Sequence, residues 1–171
     1  MLRLLIKVKN KRAWDRELPA FVEQGDITAD CLSSMHVTSN SLSVWELAED
    51  ESNLQRVIAA LAASRSLVEH LDYLVFDSDI PDRAGLKIRN IPGSTADKDA
   101  NAWHRDLAEI SGRKLLAFAI EVFQNSSRSR CSEKQILAMI KAAIERKEID
   151  RSKLAETLLQ KIDNAPAPAQ T

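Results

Sequence analysis

Glycine and proline are scarce in this sequence, which has four glycines and five prolines among its 171 residues. Their scarcity excludes a collagen-like fibre and a disordered low-complexity chain, because both are rich in these residues. No glycine-rich loop is present to hold the phosphates of a nucleotide cofactor, so we expect no cofactor. The remaining composition, 44% hydrophobic and 29% charged, is typical of a compact, helix-rich globular protein.

Cysteine is also scarce, and its two positions carry no metal signature. Cys31 and Cys131 have neither CxxC spacing nor a neighbouring histidine, so the sequence predicts no metal site. We interpret both as free thiols of a reducing cytoplasm. No uncharged apolar run reaches the length of a membrane helix, and Arg3 and Lys7 interrupt the short apolar run at the start. We therefore expect a cytoplasmic protein with no signal peptide and no membrane partner.

The net charge of −1 excludes the strongly basic character that is typical of nucleic-acid-binding domains, so nucleic acid is not an expected partner. The charge is nevertheless uneven along the chain. Residues 1–12 carry five bases and no acid, residues 46–82 carry nine acids and two bases, and residues 83–171 carry sixteen bases and eleven acids. This asymmetry is compatible with pairing with a protein partner or with a second copy. The alternative is that folding intersperses these charges on a solvated surface.

The first part of the chain, residues 1–95, carries the signals of a mixed fold. The predicted elements are a strand at 2–8, a helix near 14–22, two strands on either side of Ser39 and Asn40, a helix over 49–71, a strand at 71–76 and a further strand at 86–91. This order resembles the ferredoxin-like βαββαβ order. We therefore predict an α+β fold with a small antiparallel or mixed sheet and helices on one side of it.

The second part of the chain is predicted to be helical. Residues 96–125 form either one buried helix or a kinked helix pair that packs on the sheet, with Ser111 and Gly112 at the kink. Trp103, Leu107 and Ile110 have the spacing of one helix face, which puts Trp103 in a buried stripe and leaves His104 at its edge. Further along, the expected segments are a linker at 126–131, a helical hairpin at 132–164 that begins with a capping box of Ser132 and Gln135, and a solvated tail at 165–171.

The segment "YLVFDSDIPD" places Asp77 and Asp79 after a hydrophobic strand. It resembles the first motif of haloacid-dehalogenase-type phosphatases. That resemblance implies a nucleophilic Asp77, a general acid at Asp79 and magnesium between them and the phosphate. It covers only this short segment, and Ile80 and Pro81 follow where the family has threonine or valine. An acidic turn is the alternative interpretation, and His104 is a further candidate for the same hypothetical site.

Two other segments are candidate anion-binding sites. Ser94 and Thr95 follow a glycine and precede a predicted helix, where free backbone N–H groups bind anions. A turn with a helix cap is the alternative. Arg128 and Arg130, in the serine-rich predicted linker, are suited to a phosphate or an acidic partner, or else belong to a solvated linker.

The sequence therefore favours binding over catalysis, because no nucleophile–base pair, metal cluster or cofactor loop stands out. We expect a non-enzymatic interaction or accessory protein. Its partner is either another protein or a second copy bound through the helical residues 132–164. The alternative is a metal-dependent phosphoesterase that uses Asp77 and Asp79, which would bring its polar groups together in one pocket.

Overall fold

A computed structural model describes residues 2–15 and 17–164 of the chain. Its centre is a six-stranded sheet in which every neighbouring pair is antiparallel, in the order β4-β5-β2-β1-β3-β6. The strands are β1 (Arg3–Val8), β2 (Leu42–Leu47), β3 (His70–Asp77), β4 (Lys87–Arg89), β5 (His104–Ala108) and β6 (Ser127–Ser132). The turn predicted at Ser39 and Asn40 is present just before β2, and both residues have positive φ, 52° and 58°. The strand predicted before this turn is not formed, because Ala29–Ser34 is a helix and Met35 and Thr38 make only isolated bridges.

Helices cover both faces of the sheet. They are α1 (Ala29–Ser34), α2 (Leu54–Ala63), α3 (Ile80–Arg83), α4 (Gly112–Asn125), α5 (Glu133–Glu145) and α6 (Glu156–Asn164), and 3-10 turns lie at Lys11–Trp14, Ala100–Trp103 and Arg151–Lys153. Helices α2, α5 and α6 share one hydrophobic core with Leu5 and Tyr73. The other core joins α1, α3 and α4 to the opposite face, through residues such as Ile6 and Phe76. Among the described residues, no helix combines the length and hydrophobicity needed to cross a membrane.

The α+β class is confirmed, but the ferredoxin-like arrangement is not, because the strand order differs. The sheet has six strands, and helices pack on both of its faces rather than on one. The central strands show the reason. In β1 the consecutive residues Leu4, Leu5 and Ile6 are all buried, and β3 is buried from Leu71 to Phe76. Neighbouring strand residues point to opposite faces, so such runs indicate that both faces are covered.

Of the helix or kinked helix pair predicted over residues 96–125, the second half forms as α4, but residues 96–110 contain no α-helix. The C-terminal part of residues 96–110 is β5, in which His104 pairs with Trp45 of β2. His104 is buried, and its ring lies edge-on to that of Trp45 with the centroids 5.1 Å apart. Trp103 is only partly buried, and it packs on the α2 side of the sheet while Leu107 belongs to the opposite core. The two residues therefore do not share a core as predicted, because Trp103 lies in the 3-10 turn Ala100–Trp103 and only Leu107 lies in β5.

The predicted linker at 126–131 also differs, because it lies largely within the edge strand β6. The following helix begins as expected, and the capping box of Ser132 and Gln135 is confirmed. Both C-terminal helices dock on the protein itself. Ile140 of α5 and Leu158 of α6 are fully buried in the core beneath α2. The tail predicted at 165–171 lies outside the described residues.

Candidate functional site

The connection between α2 and β3 is the centre of the candidate binding surface. Helix α2 ends at Ala63, and β3 begins at His70. Helix α6 holds the connection in place, because Thr157 Oγ1 donates a hydrogen bond to the Ser66 carbonyl at 2.6 Å and Lys161 Nζ donates one to the Val68 carbonyl at 3.1 Å. We call residues 64–69 the α2–β3 loop.

Three pockets surround the α2–β3 loop. A pocket of about 490 Å³ lies between Arg65 and the segment containing Ser94 and Thr95. A second pocket, of about 340 Å³, lies between Arg65 and the end of β1 and also contains Leu67. A third, of about 660 Å³, lies between Leu67 and the helices α5 and α6. Because Arg65 and Leu67 each line two of the pockets, the three pockets are neighbours in one region of the surface.

Positive charge dominates this region. Among the described residues, six lysine or arginine side chains line the three pockets: Lys7, Lys9, Arg65, Lys134, Lys153 and Lys161. The described carboxylates that line them are three: Glu69, Asp72 and Glu133. Two of the carboxylates are already neutralised. Asp72 accepts two hydrogen bonds from Arg130, and Glu133 lies 2.6 Å from Lys161 Nζ. We call Lys7, Lys9, Arg65, Leu67, Lys134 and Lys153 the Arg65 surface.

Arg65 is the unusual residue of this surface. Its side chain is partly buried, and its guanidinium makes no hydrogen bond or ion pair with any described residue. The other partly buried arginines in the described part of the chain all have such a partner: Arg3, Arg56, Arg105 and Arg128. Burial lowers the pKa of Arg65 below its ordinary value. A charge that loses water without gaining a partner costs free energy, which an anionic ligand would recover.

Leu67 gives the surface an apolar centre. Its side chain is 56% exposed, two residues from Arg65 in the α2–β3 loop. Leu137 of α5 contributes further apolar area to the pocket on the far side of Leu67. Apolar and arginine side chains surrounded by polar groups are typical of protein-binding surfaces.

The candidate residues Ser94 and Thr95 lie in the same pocket as Arg65, but they differ in availability. Thr95 is committed locally, because its hydroxyl lies 2.7 Å from Asn101 Oδ1 and its backbone N–H donates to the same oxygen at 2.8 Å. Ser94 is exposed and makes no side-chain hydrogen bond to a described residue. Their loop is anchored by Asp97, a buried carboxylate that accepts bonds of 2.6 and 2.9 Å from Arg56.

The residues of the hypothetical phosphoesterase do not converge. Asp77 ends β3 and His104 begins β5, with two strands between them. Neighbouring strands lie about 4.8 Å apart, and β5 and β3 are three such spacings apart, so the backbones of the two residues are separated by about 14 Å across the sheet. Asp79 is instead at the start of α3, where its carboxylate lies 3.8 Å from Arg83. Within residues 2–15 and 17–164, no three histidine, cysteine or acidic side chains are arranged to hold a metal ion.

The other two candidate residues have internal partners. Arg130 pairs with Asp72, and the Arg128 guanidinium stacks over the Phe123 ring, 4.8 Å from its centroid, and donates to the Phe123 carbonyl. Neither arginine lines a pocket of the Arg65 surface. Sequence reasoning missed Arg65 by placing it inside a long helix. The sequence does contain a signal for the end of this helix. Ser64 and Ser66 lie on either side of Arg65, directly after the buried alanines that end α2.

Comparison of the chain with protein-family models, with curated proteins and with solved structures finds no match in any of the three.

Proposed function

We propose that this protein is a non-enzymatic interaction protein that binds an acidic segment of a protein partner on the Arg65 surface. The observation that carries the proposal is Arg65, a partly buried arginine whose guanidinium has no acceptor among the described residues. A carboxylate of a partner would supply that acceptor, and hydrogen bonds between charged groups are the stronger ones.

The rest of the surface supports the same class of partner. Lys7, Lys9 and Lys134 have no ion-pair partner in the described part of the chain, so their charges attract an acidic segment. Leu67 offers a contact for one apolar side chain of that segment. We further propose that the protein acts in the cytoplasm, since Cys31 and Cys131 are both free and buried.

A synthetic peptide provides a direct test. We would titrate the protein with a peptide in which one leucine lies between two pairs of glutamates, and follow binding by NMR of the backbone amides. Signals from residues 64–69 should shift in a saturable way. The Arg65→Ala variant should bind about tenfold more weakly, which is the effect expected for a charge-assisted hydrogen bond. Binding should weaken with added salt, because the lysines act at longer range.

Helix α4 on the opposite face supplies matched control variants. Arg113 is exposed there, and Leu116 is 38% exposed. Arg113→Ala and Leu116→Ser should leave peptide binding unchanged, whereas Arg65→Ala and Leu67→Ser should weaken it. The proposal is overturned if a glutamine version of the peptide binds equally well, or if the Arg113 and Arg65 variants behave alike.

A further inference from the structure

The pocket between the α2–β3 loop and Ser94 has the composition of an anion site. Its ten described lining residues include two cations, Arg65 and Lys153, and four hydroxyl side chains, but no carboxylate. The hydroxyls belong to Ser64, Ser66, Ser94 and Thr95. The other two pockets of the region each contain at least one carboxylate. This pocket therefore differs from its neighbours in chemistry as well as in position.

The donors in this pocket are not equally available. Ser64 donates its hydroxyl to the Ala60 carbonyl at 3.0 Å, and Thr95 is committed to Asn101. Ser66 and Ser94 make no side-chain hydrogen bond to a described residue. Lys153 Nζ has only a long contact, 4.0 Å, with Asp150. Two hydroxyls, one ammonium and the Arg65 guanidinium are thus left to bind a ligand.

We propose that this pocket binds the dianion of a phosphate monoester. A phosphate group carries a charge of about −1.5 to −2 near neutral pH and three strongly accepting oxygens. Those oxygens match the planar fork of Arg65, the point charge of Lys153 and the hydroxyls of Ser66 and Ser94. A carboxylate has fewer oxygens and half the charge, so it leaves some of these donors without a partner.

Nearby acidic groups do not cancel this preference. The closest buried carboxylate, Asp97, is occupied by Arg56 and by the backbone N–H groups of Asp99 and Ala100. Among the described residues, Asp150 is the one acidic side chain that contacts a donor of the pocket, and its carboxylate lies 4.0 Å from Lys153 Nζ. An incoming phosphate can displace so long a contact.

This inference deepens the proposed function and rests on it for the nature of the partner. The phosphate comes either from a phosphorylated side chain of the acidic partner or from a small phosphate compound. Two experimental arms distinguish these sources. One arm titrates the protein with inorganic phosphate against sodium chloride of equal ionic strength. The other compares the leucine–glutamate peptide with a version in which one glutamate is replaced by phosphoserine.

We expect inorganic phosphate to shift the amide signals of residues 64–66 and 94 in a saturable way, which chloride does not do. We expect the phosphoserine peptide to bind about tenfold more tightly than the glutamate peptide, the gain typical of additional charge-assisted hydrogen bonds. Saturable binding of phosphate without any gain for the phosphopeptide supports the pocket and assigns it to a small phosphate compound.

Ser94→Ala and Lys153→Gln should abolish this phosphate-dependent gain, and Lys134→Gln is the matched control. Lys134 belongs to the Arg65 surface but lines a different pocket, so its variant should keep the gain. Neither Ser94 nor Lys153 is buried, so both variants should remain folded.

If phosphate and chloride act alike and the phosphopeptide gains nothing, the inference is overturned while binding of the glutamate peptide still supports the proposed function. Binding of phosphate without any binding of the glutamate peptide overturns the proposed function instead.

Discussion

Arg130 donates two hydrogen bonds to the carboxylate of Asp72, with nitrogen–oxygen distances of 2.6 and 2.8 Å. The two residues are directly opposite each other on the neighbouring strands β3 and β6. The carboxylate is almost completely buried, and it also accepts a bond from the Lys11 backbone N–H at 2.8 Å. One side chain thus fastens the edge strand and the 3-10 turn after β1 to the centre of the sheet.

This pair should make the stability depend on pH. Burial raises the pKa of Asp72, but the bonds from Arg130 and Lys11 outweigh burial and hold the pKa below its ordinary value. A lowered pKa in the folded state means that the stabilisation is fully present above the unfolded value, about 3.9, and is lost as the pH falls through the folded value. Asp72→Asn should therefore lower the free energy of unfolding at pH 7 by roughly 1.5–3 kcal/mol. Below about pH 4 the difference from the unmodified protein should shrink.

Urea unfolding between pH 3 and pH 8 measures this effect. The matched control is Asp163→Asn, because Asp163 accepts two similar bonds from Arg151 but both side chains are about half exposed. Exposed pairs contribute little to stability, so this variant should change the unfolding free energy far less. Equal effects of the two variants at pH 7, or a pH-independent effect at Asp72, would contradict the prediction.

Trp14 and Trp103 should differ in how much they contribute to the free energy of unfolding. Trp14 is completely buried, and its Nε1 donates to Ser34 Oγ at 2.6 Å. Trp103 is partly buried, and the guanidinium carbon of Arg56 lies over its ring, 5.4 Å from the ring centroid. Trp14→Ala should cost about 3–5 kcal/mol of unfolding free energy, as expected for a large core side chain. Trp103→Ala should cost clearly less, and chemical denaturation at constant pH would compare the two. A larger loss at Trp103 would show that it belongs to the core after all.

The error at Trp103 illustrates what the sequence can and cannot predict. Trp103, Leu107 and Ile110 fit a helical spacing, but a segment this short is also compatible with a strand. Pairing with β2 decides the outcome, and the paired residues Trp45 and His104 are 59 positions apart in the chain. Local patterns do not contain that partner. Elements whose signals are local were predicted well, including the capping box of Ser132 and Gln135 and the strand that became β1.

The same limit applies to the candidate site. Edge strand β6 was interpreted as a linker because its sequence is polar, yet Arg128 and Arg130 find their partners in Phe123 and Asp72, of which Asp72 is remote in sequence. Ser94 and Thr95 were identified as candidates on the basis of backbone N–H groups, whereas their pocket owes its charge to Arg65 and Lys153. Nothing in the local sequence brings those two cations together. They meet because α6 is hydrogen-bonded to the α2–β3 loop, which contains Arg65, and Lys153 lies in the 3-10 turn just before α6.

Self-association through the helical residues 132–164 stays a prediction, and the structure suggests the form that it should take. The apolar stripes of α5 and α6 are covered by the protein itself, so charge must contribute most of the attraction. Four charged side chains that have no ion-pair partner among the described residues lie at opposite ends of the sheet. Lys7 and Lys9 lie at the end of the sheet where β3 begins, whereas Asp77 lies at the end where β3 stops and Asp82 follows in α3.

Opposite charges at the two ends favour head-to-tail contacts, in which Lys134 and Lys153 of the helical segment meet the acidic end of a second copy. We expect light scattering at low salt to give a mass above the 19.1 kDa of one chain, rising with protein concentration. The mass should fall to that of one chain in 1 M salt, where the screening length is about 3 Å. Replacing Asp77 and Asp82 by asparagine should have the same effect as salt. Glu109→Gln, which removes a charge directly after β5, should not have this effect. A mass of 19.1 kDa at every concentration and salt level would show that the protein does not associate with itself.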